Sequence, residues 1–261
     1  MAGAPDAALL RRKLEAGGVE DAGFEARQIA RAAKDQEEAE AMLRRRLDGE
    51  PLQYILGVWE FYGLPFFVGP GVLIPRPDTE ILVESALLEL GDRPLAVADL
   101  CAGSGAIAVA VAKHSRAAVT AVELDETALG YLRRNVEANG AAVEIVQADI
   151  LRDAFGTFDL IVSNPPYIRS DAVDTLSREV KREPRRALDG GGDGLTFYRA
   201  LCDRWISRLV PGGKLMVEIG YDQERSVRAL FAEAGLQVAD TVYDYGGNPR
   251  VIVGTVPPAA T

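Results

Sequence analysis

Asp99-Leu100-Cys101-Ala102-Gly103-Ser104-Gly105-Ala106-Ile107-Ala108 decides how this chain folds. The apolar run at 95–100 reads as a buried strand, and the small-residue run at 106–113 reads as a helix. Between them, Gly103 and Gly105 allow a tight turn and leave backbone N–H groups open to a ligand at a helix N-terminus. A strand that turns straight into a helix is half of a parallel crossover unit. Further strands are expected at 118–122, 143–146, 160–162, 214–219 and 237–243. Helices are expected from Asp125, a plausible N-cap, to Asn139-Gly140, and over 223–234. This alternation predicts an α/β fold with a doubly wound, mostly parallel sheet. Residues 251–253 are expected to close an antiparallel edge. The tail Val256-Pro257-Pro258-Ala259-Ala260-Thr261 is expected to stay unpacked.

Ahead of that pattern the chain changes character twice. Residues 1–56 read as helices only, with Ala39, Met42, Leu43 and Leu47 at helical spacing and Glu and Arg opposite. The run Arg44-Arg45-Arg46 reads as a solvated face paired with Glu37, Glu38 and Glu40. Residues 57–76 are rich in β-formers broken by Gly63-Leu64-Pro65 and Gly69-Pro70-Gly71, the pattern of a hairpin connector. Pro77 suits the first position of the next helix. The expected division is a helical module at 1–56, a connector at 57–76 and an α/β domain at 77–261.

Composition narrows the function. Acidic residues (39) outnumber Lys and Arg (29), giving a net charge of −10, so bulk positive charge does not draw this protein to nucleic acid. Two distant cysteines and a single histidine, His114, leave no zinc cluster and no support for a histidine triad, and no metal is expected. Cys101 reads as a packing residue, and His114 as a favourable charge at a helix end. No signal peptide or membrane span is apparent, so a reduced cytoplasmic setting is the expectation.

The glycine loop fits two cofactors. Gly103-x-Gly105-x-x-Ala108 is a relaxed dinucleotide fingerprint. Alternatively, Asp99, ahead of the glycines, repels a pyrophosphate and suits the cationic amino-acid part of S-adenosylmethionine. Glu123, 18 residues past Gly105 at the end of the second strand, can accept both ribose hydroxyls. Asp149, after the third strand, can accept an adenine amino group, with Ile150 packing on the ring. Three carboxylates on three consecutive strand ends favour S-adenosylmethionine, leaving S-adenosylhomocysteine as product.

After the fourth strand comes Ser163-Asn164-Pro165-Pro166-Tyr167-Ile168. Adjacent prolines cannot continue a sheet ladder, so the strand stops and presents an amide and a phenol. A planar nitrogen is a weak nucleophile and needs positioning more than a base. The Asn164 carbonyl oxygen and the Pro165 backbone carbonyl can each accept one N–H of an NH₂ group. Pro166 stiffens the turn, and Tyr167 can stack on a planar amide or base. Catalysis would then rest on orientation and on stabilising a nitrogen that becomes positive.

The sequence resembles the HemK/PrmC family, protein glutamine N5-methyltransferases that act on peptide chain release factors. The resemblance rests on Pro51-Leu52-Gln53-Tyr54-Ile55-Leu56-Gly57, Val72-Leu73-Ile74-Pro75-Arg76-Pro77-Asp78-Thr79-Glu80, the glycine loop, Asn164-Pro165-Pro166-Tyr167-Ile168, Arg182-Glu183-Pro184-Arg185 with Ala187-Leu188, Gly192-Asp193-Gly194-Leu195 and Glu218-Ile219-Gly220. It implies a class I, Rossmann-like methyltransferase. The cofactor would lie on Cys101, Ala102, Gly103, Ser104, Gly105, Glu123 and Asn164, and the substrate would be a glutamine in a Gly-Gly-Gln loop held by Asn164 and Pro165. Family members have an aspartate where Glu123 stands and often an aromatic residue where Ile150 stands. The resemblance also places Arg76 and Glu80 near the substrate channel and gives the helical module a part in docking the release factor. Two rivals stay in view. An adenine-N6 DNA or RNA methyltransferase would need a target-reading domain and a basic groove. A non-catalytic binding subunit would have no use for an intact Asn164-Pro165-Pro166-Tyr167.

Overall fold

The computed structural model describes residues 4–258. The chain opens with α1 (Ala7–Ala16), α2 (Ala22–Ala32), α3 (Gln36–Leu47) and the short α4 (Leu52–Leu56). Asp6 and Asp35 cap α1 and α3 by accepting backbone N–H groups of the first turn. Leu10, Leu14, Ile29 and Leu43 form a small core between these helices. Tyr54 does not belong to it. That side chain is buried in the main core, and its hydroxyl donates to the Val72 carbonyl at 2.5 Å. Arg46 also departs from the sequence expectation: it is 5% exposed and bonded to Glu25 and Glu179. The helical period of α3 turns Arg46 inward, where a carboxylate partner offsets the cost of burying its charge.

The connector is a hairpin, β1 (Val58–Phe61) and β2 (Leu64–Phe67), antiparallel with Val58 opposite Phe67. A single turn at Pro77–Thr79 leads into α5 (Glu80–Leu90). Then come β3 (Ala96–Leu100), α6 (Ala106–His114), β4 (Ala118–Glu123), α7 (Glu126–Ala138), β5 (Val143–Gln147) and β6 (Phe158–Ser163). Asp125 caps α7 through the N–H groups of Thr127 and Ala128. After β6 the chain makes the short α8 (Ser170–Val173), two single turns and α9 (Thr196–Ala200), which continues through a wide turn at Leu201–Trp205. It ends with β7 (Leu209–Glu218), α10 (Glu224–Glu233), β8 (Gln237–Val238), β9 (Val242–Tyr243) and β10 (Pro249–Thr255).

The sheet order is β5-β4-β3-β6-β7-β10-β8, with β9 also on β10. Strands β3 to β7 are parallel, and β10 is antiparallel to its neighbours. Successive strand residues bury opposite faces. Val97, Leu160, Val162 and Met216 join α5, α6, α7 and the hairpin in one core. Ala98, Leu100, Ile161, Leu215 and Val217 join α9, α10 and Trp205 in the other.

Three sequence expectations need correction here. The segment 237–243 is two short strands, because Ala239 bonds back to Val253 and the chain then leaves the ladder. The strand around 251–253 is not an edge: β7 lies on one side and β8 and β9 on the other. Val256 is paired with Gly212 and Gly213, so the tail begins packed, while Ala259-Ala260-Thr261 lie outside the described residues. No helix among the described residues is long and apolar enough to cross a membrane.

Candidate active site

The sheet register brings the two loops together. Leu100 lies opposite Val122 on one side and Ser163 on the other. The Ser163 hydroxyl donates to the Leu100 carbonyl at 2.6 Å and locks the strand ends level. Cys101 and Asn164, the next residues, therefore leave the sheet side by side, at its carboxyl edge where open α/β sheets bind ligands.

A cavity of about 310 Å³ opens at this edge. The loop lines it with Cys101, Ala102, Gly103 and Ser104, and the second and third strand ends with Glu123, Asp149 and Ile150. Asn164 and Pro166 form the wall next to the fourth strand, and Arg76 and Thr79 the wall next to the connector. The loop geometry is specific. Cys101 has φ +63° and Gly105 φ +81°. A Cβ on Gly105 would come within 2.3 Å of Leu132 Cδ1, so only glycine fits against α7. Buried Asn135 ties the loop to the hairpin: it donates to the Ser104 and Phe67 carbonyls and accepts from the Phe67 N–H.

Glu123 faces the loop. Its Oε2 accepts from the Gly103 N–H, and Oε1 accepts from the Leu124 and Asp125 N–H groups, each at 2.8 Å. A carboxylate offers about four acceptor positions, so roughly one is left open. Asp149 Oδ1 accepts from the Leu151 N–H of its own turn and Oδ2 pairs with Arg152 at 3.5 Å, which leaves acceptor positions on a carboxylate that lines the cavity. Ile150 is buried, and Trp205 Nε1 donates to its carbonyl at 3.1 Å.

Asp99 is elsewhere. It is wholly buried on the α6 face of β3, off the cavity lining, where Oδ2 accepts from the Ala108 N–H and Oδ1 has no partner. Burial pushes its carboxyl up to about 8, which favours the neutral form. The Cys101 thiol is likewise pushed well up by burial, and then by Glu123 and Asp99, which leaves it protonated and packed.

Within Asn164-Pro165-Pro166-Tyr167 the structure separates the roles. Asn164 Nδ2 donates to Thr79 Oγ1 at 3.1 Å. Among the described residues no donor reaches Asn164 Oδ1 or the Pro165 carbonyl. Tyr167 is not on the lining. Its hydroxyl donates to Glu218 at 3.3 Å, and its carbonyl accepts from Gln223 Nε2 at 2.9 Å. Glu80 is also off the lining, where its carboxylate accepts from the Tyr62 N–H in the hairpin turn. Arg76 is on the lining and is paired with buried Glu183.

Of the lining residues beyond the strand ends, Pro184 and Ala187 belong to a motif that carries the resemblance, whereas Arg186 and Phe197 carried no signal in the sequence. Pro184, Arg186 and Ala187 come from the long connection after β6, and Phe197 from α9. Arg186 bonds Asp125 at 2.6 Å across the cavity mouth. An arginine in a loop or an aromatic on a short helix looks alike whether it faces a cavity or water, so only the contacts distinguish them.

Residues 77–199 match the model of the methyltransferase small domain, and residues 32–57 match the PrmC N-terminal domain. The chain is 45% identical over 218 residues to the release factor glutamine methyltransferase of Geobacter sulfurreducens, covering 82% of this chain and 76% of that protein. It belongs to the release factor glutamine methyltransferase family. The Escherichia coli relative is 39% identical over 221 residues, 84% of this chain and 80% of that one. Among solved structures, a methyltransferase from Pyrococcus furiosus superposes with a TM-score of 0.58 at 23% identity, covering 76% of this chain and 91% of that one. The Thermus thermophilus 16S rRNA N2 G1207 methyltransferase in complex with AdoMet and guanosine gives 0.54 at 23% identity, over 76% and 49% of the chains. Both show the class I methyltransferase fold.

Proposed function

We propose that the chain transfers a methyl group from S-adenosylmethionine to the side-chain amide nitrogen of a glutamine in a peptide chain release factor. The observation that carries this reading is the placement of Asn164: beside the glycine loop, on the cavity wall, with Oδ1 unclaimed. Family membership supports the choice of substrate, and the resemblance points to the glutamine of a Gly-Gly-Gln loop.

The residues fit the cofactor. The lining is largely apolar, with Ile150 and Phe197 suited to flank a planar base and Glu123 facing the cavity with an acceptor position left. A ribose diol needs two acceptors, so binding would displace one backbone N–H, most simply that of Gly103, from the Glu123 carboxylate. S-adenosylmethionine, once bound, supplies the activated methyl group. Asn164 Oδ1 and the Pro165 carbonyl would accept the two N–H bonds of the glutamine amide, turn its lone pair toward the methyl carbon and stabilise the charge that develops on nitrogen. Tyr167 supports this turn from behind.

The test offers labelled S-adenosylmethionine, a release factor and duplex DNA together. Label is expected on the release factor; label on DNA would transfer the assignment to adenine chemistry. Asn164→Ala is expected to lower the rate by roughly 10²-fold or more while cofactor affinity holds. Wild-type turnover in that variant would overturn the role of Asn164.

A further inference from the structure

The connection between β6 and α9 is anchored by charge more than by apolar packing. From residue 168 to residue 189 its buried apolar side chains are Val173 and Leu188. A segment that buries so little apolar surface depends on polar contacts for a fixed position. Yet it has to be placed accurately. Pro184, Arg186 and Ala187 line the cavity, and the Leu188 carbonyl accepts from the Ile168 N–H beside the Asn-Pro-Pro-Tyr turn.

Part of that anchorage comes from the helical module. Arg46 of α3 is buried and already has a full partner there: its Nε and Nη2 reach the two oxygens of Glu25 in α2 at 2.6 and 3.0 Å. That fork neutralises the guanidinium. Glu179 of the connection, half-exposed, adds a second carboxylate to Arg46 Nη2 at 2.7 Å. Just past the end of α3, Asp48 receives two arginines of the connection. Arg178 donates to Oδ1 at 2.9 Å, and Arg182 reaches Oδ2 at 3.2 Å and the Asp48 carbonyl at 3.1 Å. The backbone approaches too: a Cβ on Gly49 would lie 2.7 Å from Arg178 Cδ.

The module does not need these contacts for its own fold. One carboxylate compensates a buried arginine, and the end of a helix favours a cation over the Asp48 carboxylate. Glu179 and Asp48 therefore serve the junction, which spans 130 residues of sequence between Asp48 and Arg178.

We propose that Arg46 and Asp48 of the helical module, through Glu179, Arg178 and Arg182, are positioning residues for methyl transfer that hold the β6–α9 connection and with it one wall of the cavity. This rests on the reading of the cavity as the site of methyl transfer. The module then acts on the reaction without touching substrate. A docking surface changes KM for the release factor, whereas a misplaced cavity wall changes kcat.

The experiment uses the full-length enzyme, labelled S-adenosylmethionine and a release factor. It measures kcat, KM and denaturant unfolding for Glu179→Ala, for Asp48→Lys, and for the charge exchange that combines Asp48→Lys with Arg178→Glu and Arg182→Glu. Glu179→Ala leaves Arg46 its Glu25 partner. It is expected to unfold like wild type while kcat falls about threefold to tenfold, a part of what a small misplacement far from the chemistry can cost. Asp48→Lys sets a cation against two arginines and is expected to lower kcat about tenfold. The exchange variant is expected to recover most of that loss. Because the exchange is internal to the enzyme, recovery cannot come from a contact with the release factor. Wild-type kcat in Asp48→Lys, a change confined to KM, or an exchange variant no faster than Asp48→Lys would each overturn the proposal. A wild-type enzyme that leaves the release factor unlabelled removes the reading of the cavity and this inference with it. A labelled release factor, with wild-type kcat in Glu179→Ala and Asp48→Lys, removes the positioning role alone.

Discussion

At the scale of single residues, chemistry follows from what each polar atom is left to do. Asn164 has one end of its amide satisfied and the other open, whereas Asp99 has no access to the cavity at all. Burial holds the Asp99 proton on up to about pH 8, while an unfolded chain releases it near its ordinary value of 3.8. Between those values the folded state binds more protons than the unfolded one. The stabilising contribution is thus complete below about pH 4 and is lost as pH rises through about 8. Asp99→Asn, which cannot ionise, is expected to flatten that decline. Chemical denaturation of both proteins across this range checks it, and parallel slopes would show that Asp99 ionises as freely in the fold as outside it. The acidic residue ahead of the glycines was legible as a marker of the loop. Its direction was not, because a strand residue faces one side or the other according to register.

Among elements, the connection from β6 to α9 joins parts of the molecule that are distant in sequence. Its Glu179 bonds Arg46 of α3, Arg178 and Arg182 bond Asp48, Glu183 bonds Arg76 and the Ile74 N–H, and Arg186 bonds Asp125. The same connection braces the Asn-Pro-Pro-Tyr turn. Ile168 donates to the Leu188 carbonyl, Gly190 donates to the Ile168 carbonyl, and Gly190 packs directly on the turn. A Cβ there would lie 2.7 Å from Tyr167 Cα and 2.8 Å from the Pro166 carbonyl oxygen, both backbone atoms without room to move. Gly190→Ala is expected to cost about 1–3 kcal/mol of stability, as overpacking does, and to lower kcat further by shifting Asn164. Denaturant melts and turnover of the variant test this; wild-type kcat would show that the brace does not set the turn. The strands and the helix after Asp125 were readable from period and capping. The brace was not, since arginines and glutamates in a loop do not name their partners.

For the whole molecule, the boundary between the helical module and the rest is the point the sequence and the packing treat differently. The change of composition at residue 57 marks it there, but Tyr54 is buried among Phe61, Phe66 and Ile74 of the main core. A chain lacking residues 1–56 is therefore expected to be less stable to denaturant than one lacking only 1–49, by about the 3–5 kcal/mol that a buried aromatic contributes. Identical denaturation curves would show that Tyr54 adds nothing to the main core. We infer that the helices before it help dock the release factor, and comparing turnover on the whole protein substrate and on a short glutamine peptide, with and without 1–49, measures that contribution. The sequence by itself determined the strand–loop–helix alternation, the glycine turn and the proline stop after β6, because period, backbone freedom and a missing N–H are local properties. Tertiary structure alone decided that Asn164 meets Thr79 across 85 residues and that Arg76 meets Glu183 across 107. Such pairings depend on strand register and on which loops pack over one sheet edge, and no local pattern carries that information.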